Sequence, residues 1–172
     1  MSDKKALLVI DMQNDYLWEK RKKIFSYDTS DLVNKVNTLI NEFKNEGNDV
    51  IYIGQIFPDI ITNKWFIGFS IKGTQGAEIY HSVDVVSEYY FEKKLPDSFS
   101  SQKFKKFMSE KQYSEITVCG LDLCGCAGAT AIGAVKTGAS VILSETATGC
   151  RFGNTKAAKM KNKLISYGVK II

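Results

Sequence analysis

Five consecutive apolar residues, Ala6-Leu7-Leu8-Val9-Ile10, run straight into an acid, Asp11. A strand built from such a run has no polar face, so it must be covered on both sides, which is the condition of a parallel sheet. Val50-Ile51-Tyr52-Ile53 and the stretch from Ile116 to Cys119 repeat the pattern. Tyr89-Tyr90-Phe91, Ala139 to Leu143 and Val169 to Ile172 supply three further strand candidates. Helical patterns lie between them. From Ser30-Asp31, the residues Leu32, Val33, Val36, Leu39, Ile40 and Phe43 recur at helical spacing until Gly47. Ser100 or Ser101 opens a basic helix carrying Phe104, Phe107 and Met108 on one face. Asn154 opens another, with Ala157, Leu164 and Ile165 inward and Gly168 as terminator.

Strands that alternate with helices predict an α/β fold: a doubly wound, Rossmann-like parallel sheet of about six strands with helices on both faces. The 172 residues suit one domain, residues 1–172, and are too few for two ordinary ones. The segment from Ile56 to Ser82 shows no clean period and is expected to be an irregular insert at a strand end, where binding sites are built.

Charge and hydropathy exclude some functions. The net charge of +4 is spread over helix-like segments with no interleaved aromatic residues, so no nucleic-acid surface is expected. The first apolar run is too short for a membrane span or a leader core, so no membrane partner and a cytoplasmic location are expected. The four cysteines should then be reduced thiols.

In a doubly wound sheet, ligands bind outside the carboxyl ends of the strands. Three reactive groups fall at such ends or just beyond them: Asp11, Lys93 or Lys94, and Cys126. Cys126 follows a strand, the turn at Gly120, and the start of a small-residue segment that runs to Gly138. A thiol near a helix N-terminus meets the positive end of the macrodipole, which favours thiolate. The same cysteine could instead be a small buried hydrophobe. A carboxylate, an ammonium and a thiol can form a nucleophilic site. The thiolate attacks a carbonyl carbon, the carboxylate carries the thiol proton to the leaving amine, and the ammonium holds the carboxylate. Other arrangements fit less well. The only histidine, His81, lies in the irregular insert and could serve a Cys-His dyad only from there. The spacing of Cys119, Cys124 and Cys126 is not a standard zinc or iron–sulfur spacing. No G-x-G-x-x-G order follows the first strand. A redox pair at Cys124-Gly125-Cys126 and a non-catalytic binding module on the same scaffold are further readings.

Three separated motifs carry a resemblance that spans nearly the whole chain: Leu7 to Gln13 with Asp11, Lys93-Lys94-Leu95-Pro96-Asp97-Ser98-Phe99, and Gly120 through Cys126 to Thr130. Together they resemble the isochorismatase-like cysteine hydrolase superfamily, which includes nicotinamidase and N-carbamoylsarcosine amidase. The resemblance implies a catalytic triad of Asp11, Lys93 and Cys126, with Lys94 and Cys124 as neighbours. It implies a non-proline cis bond at Leu121–Asp122 and an oxyanion hole made by the backbone N–H groups of Asp122 and Cys126. A cysteine at this place favours hydrolysis of a C–N bond in a small amide or ureido substrate over isochorismatase-type ether hydrolysis.

Metal-binding relatives keep an aspartate and histidines after the second strand, where this chain has Gly54-Gln55-Ile56-Phe57-Pro58-Asp59. The resemblance therefore implies no metal and no cofactor. Gln13, Gln55, Tyr16 and Trp65 are the expected substrate contacts. A homo-oligomer, dimer or tetramer, is also implied; the small face of Ala129, Gly133 and Ala134 could serve it or could pack on the sheet.

Overall fold

The computed structural model describes residues 4–172. Six strands form one sheet: β1 Lys5–Ile10, β2 Asp49–Gln55, β3 Tyr90–Lys93, β4 Glu115–Gly120, β5 Ser140–Thr148 and β6 Lys170–Ile171. Their order is β3-β2-β1-β4-β5-β6, and every neighbouring pair is parallel. This is the expected doubly wound α/β sheet. The helices are α1 Asn14–Leu17, α2 Thr29–Asn45, α3 Ile61–Phe66, α4 Gln102–Lys111, α5 Cys126–Val135 and α6 Asn154–Ser166.

The two-faced burial of β1 splits the core in two. Alternate side chains of a strand point to opposite faces. Ala6, Leu8 and Ile10 join Phe104 and Met108 of α4, Ala127, Ala131 and Ala134 of α5 and Leu164 of α6. Leu7 and Val9 join Leu32, Val33, Val36, Ile40 and Phe43 of α2 on the other face. Helix α2 starts at Thr29, one residue before Ser30, because the Asp28 side chain accepts the N–H of Asp31 at 3.1 Å. Small residues let α5 lie close to the sheet: Ala134 is wholly buried, and Gly133 faces the Asp97 carboxylate. That helix face is therefore used within the chain.

Several segments differ from the sequence expectation: β3 runs Tyr90–Lys93 and not Tyr89–Phe91, and Ile165 of α6, expected inward, is exposed. Strand β5 continues past Leu143 to Thr148, because a register shift between Val118 and Gly120 lets Gly120 pair with Thr148. Strand β6 is shorter than expected, Lys170–Ile171, although the backbone of Ile172 still bonds to Leu143 and Glu145 of β5. The insert after β2 is not irregular throughout. It holds α3 and a 3-10 turn, Gln75–Ala77, and the bridges Gln13↔Ile79 and Phe57↔Ile71 fasten it to the strand ends.

Gly120 ends β4 at φ +98, a conformation that L side chains rarely adopt. Any Cβ there would run into the carbonyl oxygen of Ile10, which accepts the N–H of Leu121 at 2.8 Å. This close crossing brings the loop after β4 beside the end of β1. Among the described residues, no helix is long and apolar enough to cross a membrane.

Candidate active site

Four neighbouring elements meet at the carboxyl edge of the sheet. Asp11 is the first residue after β1 and takes a left-handed backbone, φ +51. Asp is among the few non-glycine residues that tolerate this conformation. Gln55 and Lys93 are the last residues of β2 and β3 and lie in register with each other. Cys126 is the first residue of α5.

Lys93 is 2% exposed, an unusual burial for a lysine. Its ammonium donates to Asp11 Oδ2 at 2.9 Å and to Gln55 Oε1 at 2.8 Å. Two buried polar atoms beside it have no partner among the described residues: Asp11 Oδ1 and Gln55 Nε2. A buried acceptor and a buried donor left open cost stability unless something else meets them. Cys126 Sγ stands 4.0 Å from Gln55 Oε1, within the electrostatic reach of both Asp11 and Lys93. The structure thus brings Asp11, Lys93, Cys126 and Gln55 together.

The electrostatics correct one expectation. Burial, then the Asp11 carboxylate, push the Cys126 thiol up to about 12, and the opposing pull of Lys93 does not cancel them. At rest the site holds a thiol and not the thiolate expected from the helix N-terminus. Burial alone would lower the Lys93 ammonium, but Asp11 and Cys126 outweigh it and hold Lys93 above the ordinary lysine range.

A pH dependence follows. Below the folded pKa the thiolate fraction rises about tenfold per pH unit. Alkylation of Cys126 by iodoacetamide should therefore climb steadily from neutral to strongly alkaline pH. A plateau near neutrality, measured by peptide mass spectrometry, would show a thiolate already formed.

The turn before α5 is fixed by the Asp122 carboxylate. Its Oδ2 accepts the Tyr27 hydroxyl at 2.9 Å and the N–H of Arg151 at 2.8 Å, and its Oδ1 accepts the N–H of Cys124 at 2.8 Å. The Leu121–Asp122 peptide bond is cis. Among the described residues, the backbone N–H groups of Asp122 and Cys126 find no acceptor.

A cavity of about 280 Å³ opens over these groups. Asp11, Gln55 and Cys126 lie in it, and Tyr16, Phe25, Tyr27, Phe57, Phe69 and Phe152 supply aromatic walls. Tyr16, Phe25 and Phe69 pack edge to face at centroid distances of 4.8, 5.7 and 5.2 Å. Arg151 stands on the rim over Phe25 and Phe152. A larger cavity of about 650 Å³, lined by residues of α4 and α5, contains none of Asp11, Lys93 and Cys126.

The other expected substrate contacts divide. Tyr16 lines the cavity, its hydroxyl held by Ser70 Oγ at 2.8 Å. Gln13 does not line it. Its amide is consumed by the backbone, donating to the carbonyls of Gln55 and Ala77 at 3.1 and 2.7 Å and accepting the Gln55 N–H at 2.9 Å. Gln13 therefore clamps the insert to β2. Trp65 is also outside, 82% exposed on the surface of α3. His81 is exposed and stacks on Tyr80, and Asp59 pairs with Lys64 at 2.6 Å. Phe25, Tyr27 and Arg151 were missed by the sequence reading. Phe25 and Tyr27 stand in the polar stretch from Arg21 to Thr29, where the two aromatics were the available signal.

The comparisons with known proteins agree with the fold. The model of the isochorismatase domain matches residues 5–171. The chain is 31% identical over 134 residues to an uncharacterized isochorismatase family protein, YddQ, of Bacillus subtilis (strain 168), covering 77% of this chain and 71% of that one. In fold it is similar to the pyrazinamidase of Pyrococcus horikoshii in complex with zinc, at TM-score 0.84 and 23% identity, covering 98% of each chain. It is also similar to the N-carbamoylsarcosine amidase of Thermoplasma acidophilum, at TM-score 0.80 and 22% identity, covering 98% of this chain and 95% of that one.

Proposed function

The chain belongs to the isochorismatase family, and from that premise we propose that it is a metal-independent cysteine hydrolase that cleaves the C–N bond of a small amide or ureido compound. The observation that carries this reading is Asp11 Oδ1, a buried acceptor with no partner, in the same carboxylate that Lys93 holds through Oδ2 and beside the Cys126 thiol. Asp11 accepts the thiol proton as Cys126 Sγ attacks the carbonyl carbon. The N–H groups of Asp122 and Cys126 receive the developing oxyanion. Asp11 then gives the proton to the leaving nitrogen, and an acyl group stays on sulfur. Water, deprotonated by Asp11, releases the acid and restores the thiol. Lys93 stays an ammonium throughout and keeps the Asp11 carboxylate oriented through Oδ2. Because the resting thiol is protonated, transfer to Asp11 accompanies attack and does not precede it.

Gln55 is the positioning group, since its Oε1 is taken by Lys93 and its open Nε2 is left to meet an acceptor on the substrate. The small aromatic cavity favours a planar or apolar acyl portion. The residues after β2, where metal-binding relatives keep their ligands, do not fit a metal. Gln55 is engaged with Lys93, Phe57 packs against Phe69, and the chain's only imidazole, His81, is exposed and outside the lining. A homo-oligomer working in the cytoplasm belongs to the same reading, by family resemblance.

A panel of small primary amides and ureido compounds tests the reading, with Cys126→Ala as blank and exhaustive chelation as a second arm. At least one compound should release ammonia or an amine at a rate that chelation leaves unchanged within about twofold. Loss of turnover on chelation, restored by zinc, iron or manganese, would contradict it.

A further inference from the structure

Two thiols stand outside the hydrolytic mechanism. Cys124 and Cys150 lie 26 positions apart in sequence, yet their Sγ atoms are 3.8 Å apart. Both are only partly buried. Cys124 lines the cavity two residues before Cys126, and Cys150 directly precedes Arg151 and Phe152, which line it from another side. Backbone hydrogen bonds already hold the two segments together. The N–H of Leu123 donates to the Gly149 carbonyl at 2.9 Å, and the N–H of Arg151 donates to Asp122 Oδ2 at 2.8 Å. The sequence pattern Cys124-Gly125-Cys126 suggested a different pairing. The structure turns Cys124 toward Cys150, with no hydrogen bond between the sulfurs of Cys124 and Cys126 among the described residues.

We propose that Cys124 and Cys150 are a redox-active dithiol that a peroxide converts to a reversible disulfide, fastening the turn that carries Cys126 to the cavity wall that carries Arg151 and Phe152. An S–S bond is about 2.05 Å long, so the sulfurs must approach by less than about 2 Å, within the range of side-chain rotation. In the first step one deprotonated sulfur attacks a peroxide oxygen. The O–O bond breaks, a sulfenic acid forms, and the released hydroxide takes up the thiol proton as water. The second sulfur then attacks the sulfenic sulfur, the S–O bond breaks, and a second water leaves with the remaining proton. Two thiols lose two electrons, and one peroxide becomes two waters. A reducing dithiol reverses the bond by exchange. Burial, then the hydrogen bond to Cys150, push Cys124 up to about 11, so its sulfur becomes more reactive as pH rises.

The Asp122 carboxylate also lies within 4.8 Å of both sulfurs, and such a trio could hold a thiophilic metal. Its oxygens already accept from Tyr27, Cys124 and Arg151, which favours the thiols acting as a pair.

The test uses the full chain, reduced, assayed for bound metal, treated with hydrogen peroxide, alkylated and mapped by fragmentation mass spectrometry. The expected result is a Cys124–Cys150 link that forms faster at higher pH, is reversed by dithiothreitol and is absent from Cys150→Ser. A link through Cys126, oxidation without any link, or a co-purified metal that shields both thiols would overturn the proposal. The wild-type map decides the connectivity whether or not the serine variant folds. The result is independent of turnover, so its failure leaves the proposed hydrolysis standing.

Discussion

Cys126→Ala should abolish turnover of any accepted amide, by about 10³-fold or more, while the protein stays folded. The sulfur is the atom proposed to carry the acyl group, and removing the nucleophile from such a site removes the covalent route itself. No replacement is at hand: of the other thiols, Cys119 is fully buried inside β4, and Cys124 faces Cys150. Folding should survive because Cys126 sits at the first turn of α5 and is only partly buried, while Ala127, Ala131 and Ala134 anchor the helix to the sheet. Circular dichroism and thermal melting of the variant separate lost chemistry from lost structure. Cys126→Ser would put a hydroxyl of similar shape in the thiol's place, but it is a weaker nucleophile and the variant should also be severely impaired.

Lys93→Met should be damaging in two ways at once. The methionine fills much of the lysine's volume but leaves the Asp11 carboxylate buried with no cation. Breaking one side of a buried pair costs roughly 3–5 kcal/mol, far above the change expected at an exposed lysine. Lys94→Met, at the neighbouring exposed position, should move stability by less than about 0.5 kcal/mol. Turnover in the Lys93 variant should fall with the stability. Without the ammonium, the Asp11 carboxylate loses the donor that holds Oδ2 and so orients Oδ1 toward the thiol. Equal melting temperatures for wild type and Lys93→Met would refute the proposed role of this pair.

Much of the fold is legible in the sequence because the middles of β1, β2 and β4 are buried on both faces and are largely apolar. Lys93 and Lys94 are not separable by pattern: Lys93 closes β3 and is buried against Asp11, whereas Lys94 lies just past the strand, exposed on the rim of the same cavity, and only the family motif identifies which is which. Strand β5 is harder to read past Leu143, because Glu145 and Thr146 are exposed and polar while their backbone remains in the strand. Helix α3 gives no period because it buries no face: Ile61, Trp65 and Phe66 are all exposed, so no apolar stripe points at a core. The same exposure removes Trp65 from the pocket.

The reactive groups could be found at strand ends, but their tuning could not. The position of Cys126 at a helix start suggested a lowered pKa, whereas burial beside an acid raises it. That balance depends on how far Asp11 Oδ1 stands open to the thiol, a matter of tertiary packing. The aromatic walls are likewise assembled from Tyr16 of α1 and from Phe25, Phe57, Phe69 and Phe152 of separate connecting segments, with no common spacing.

The most direct test of the central claim is the mass of the intact protein, quenched in acid during turnover of an accepted amide. The proposed mechanism predicts a population heavier by the acyl group, carried on Cys126, discharged by hydroxylamine and missing from Cys126→Ala. Sustained hydrolysis with no acyl mass on Cys126, persisting in Cys126→Ala, would contradict it.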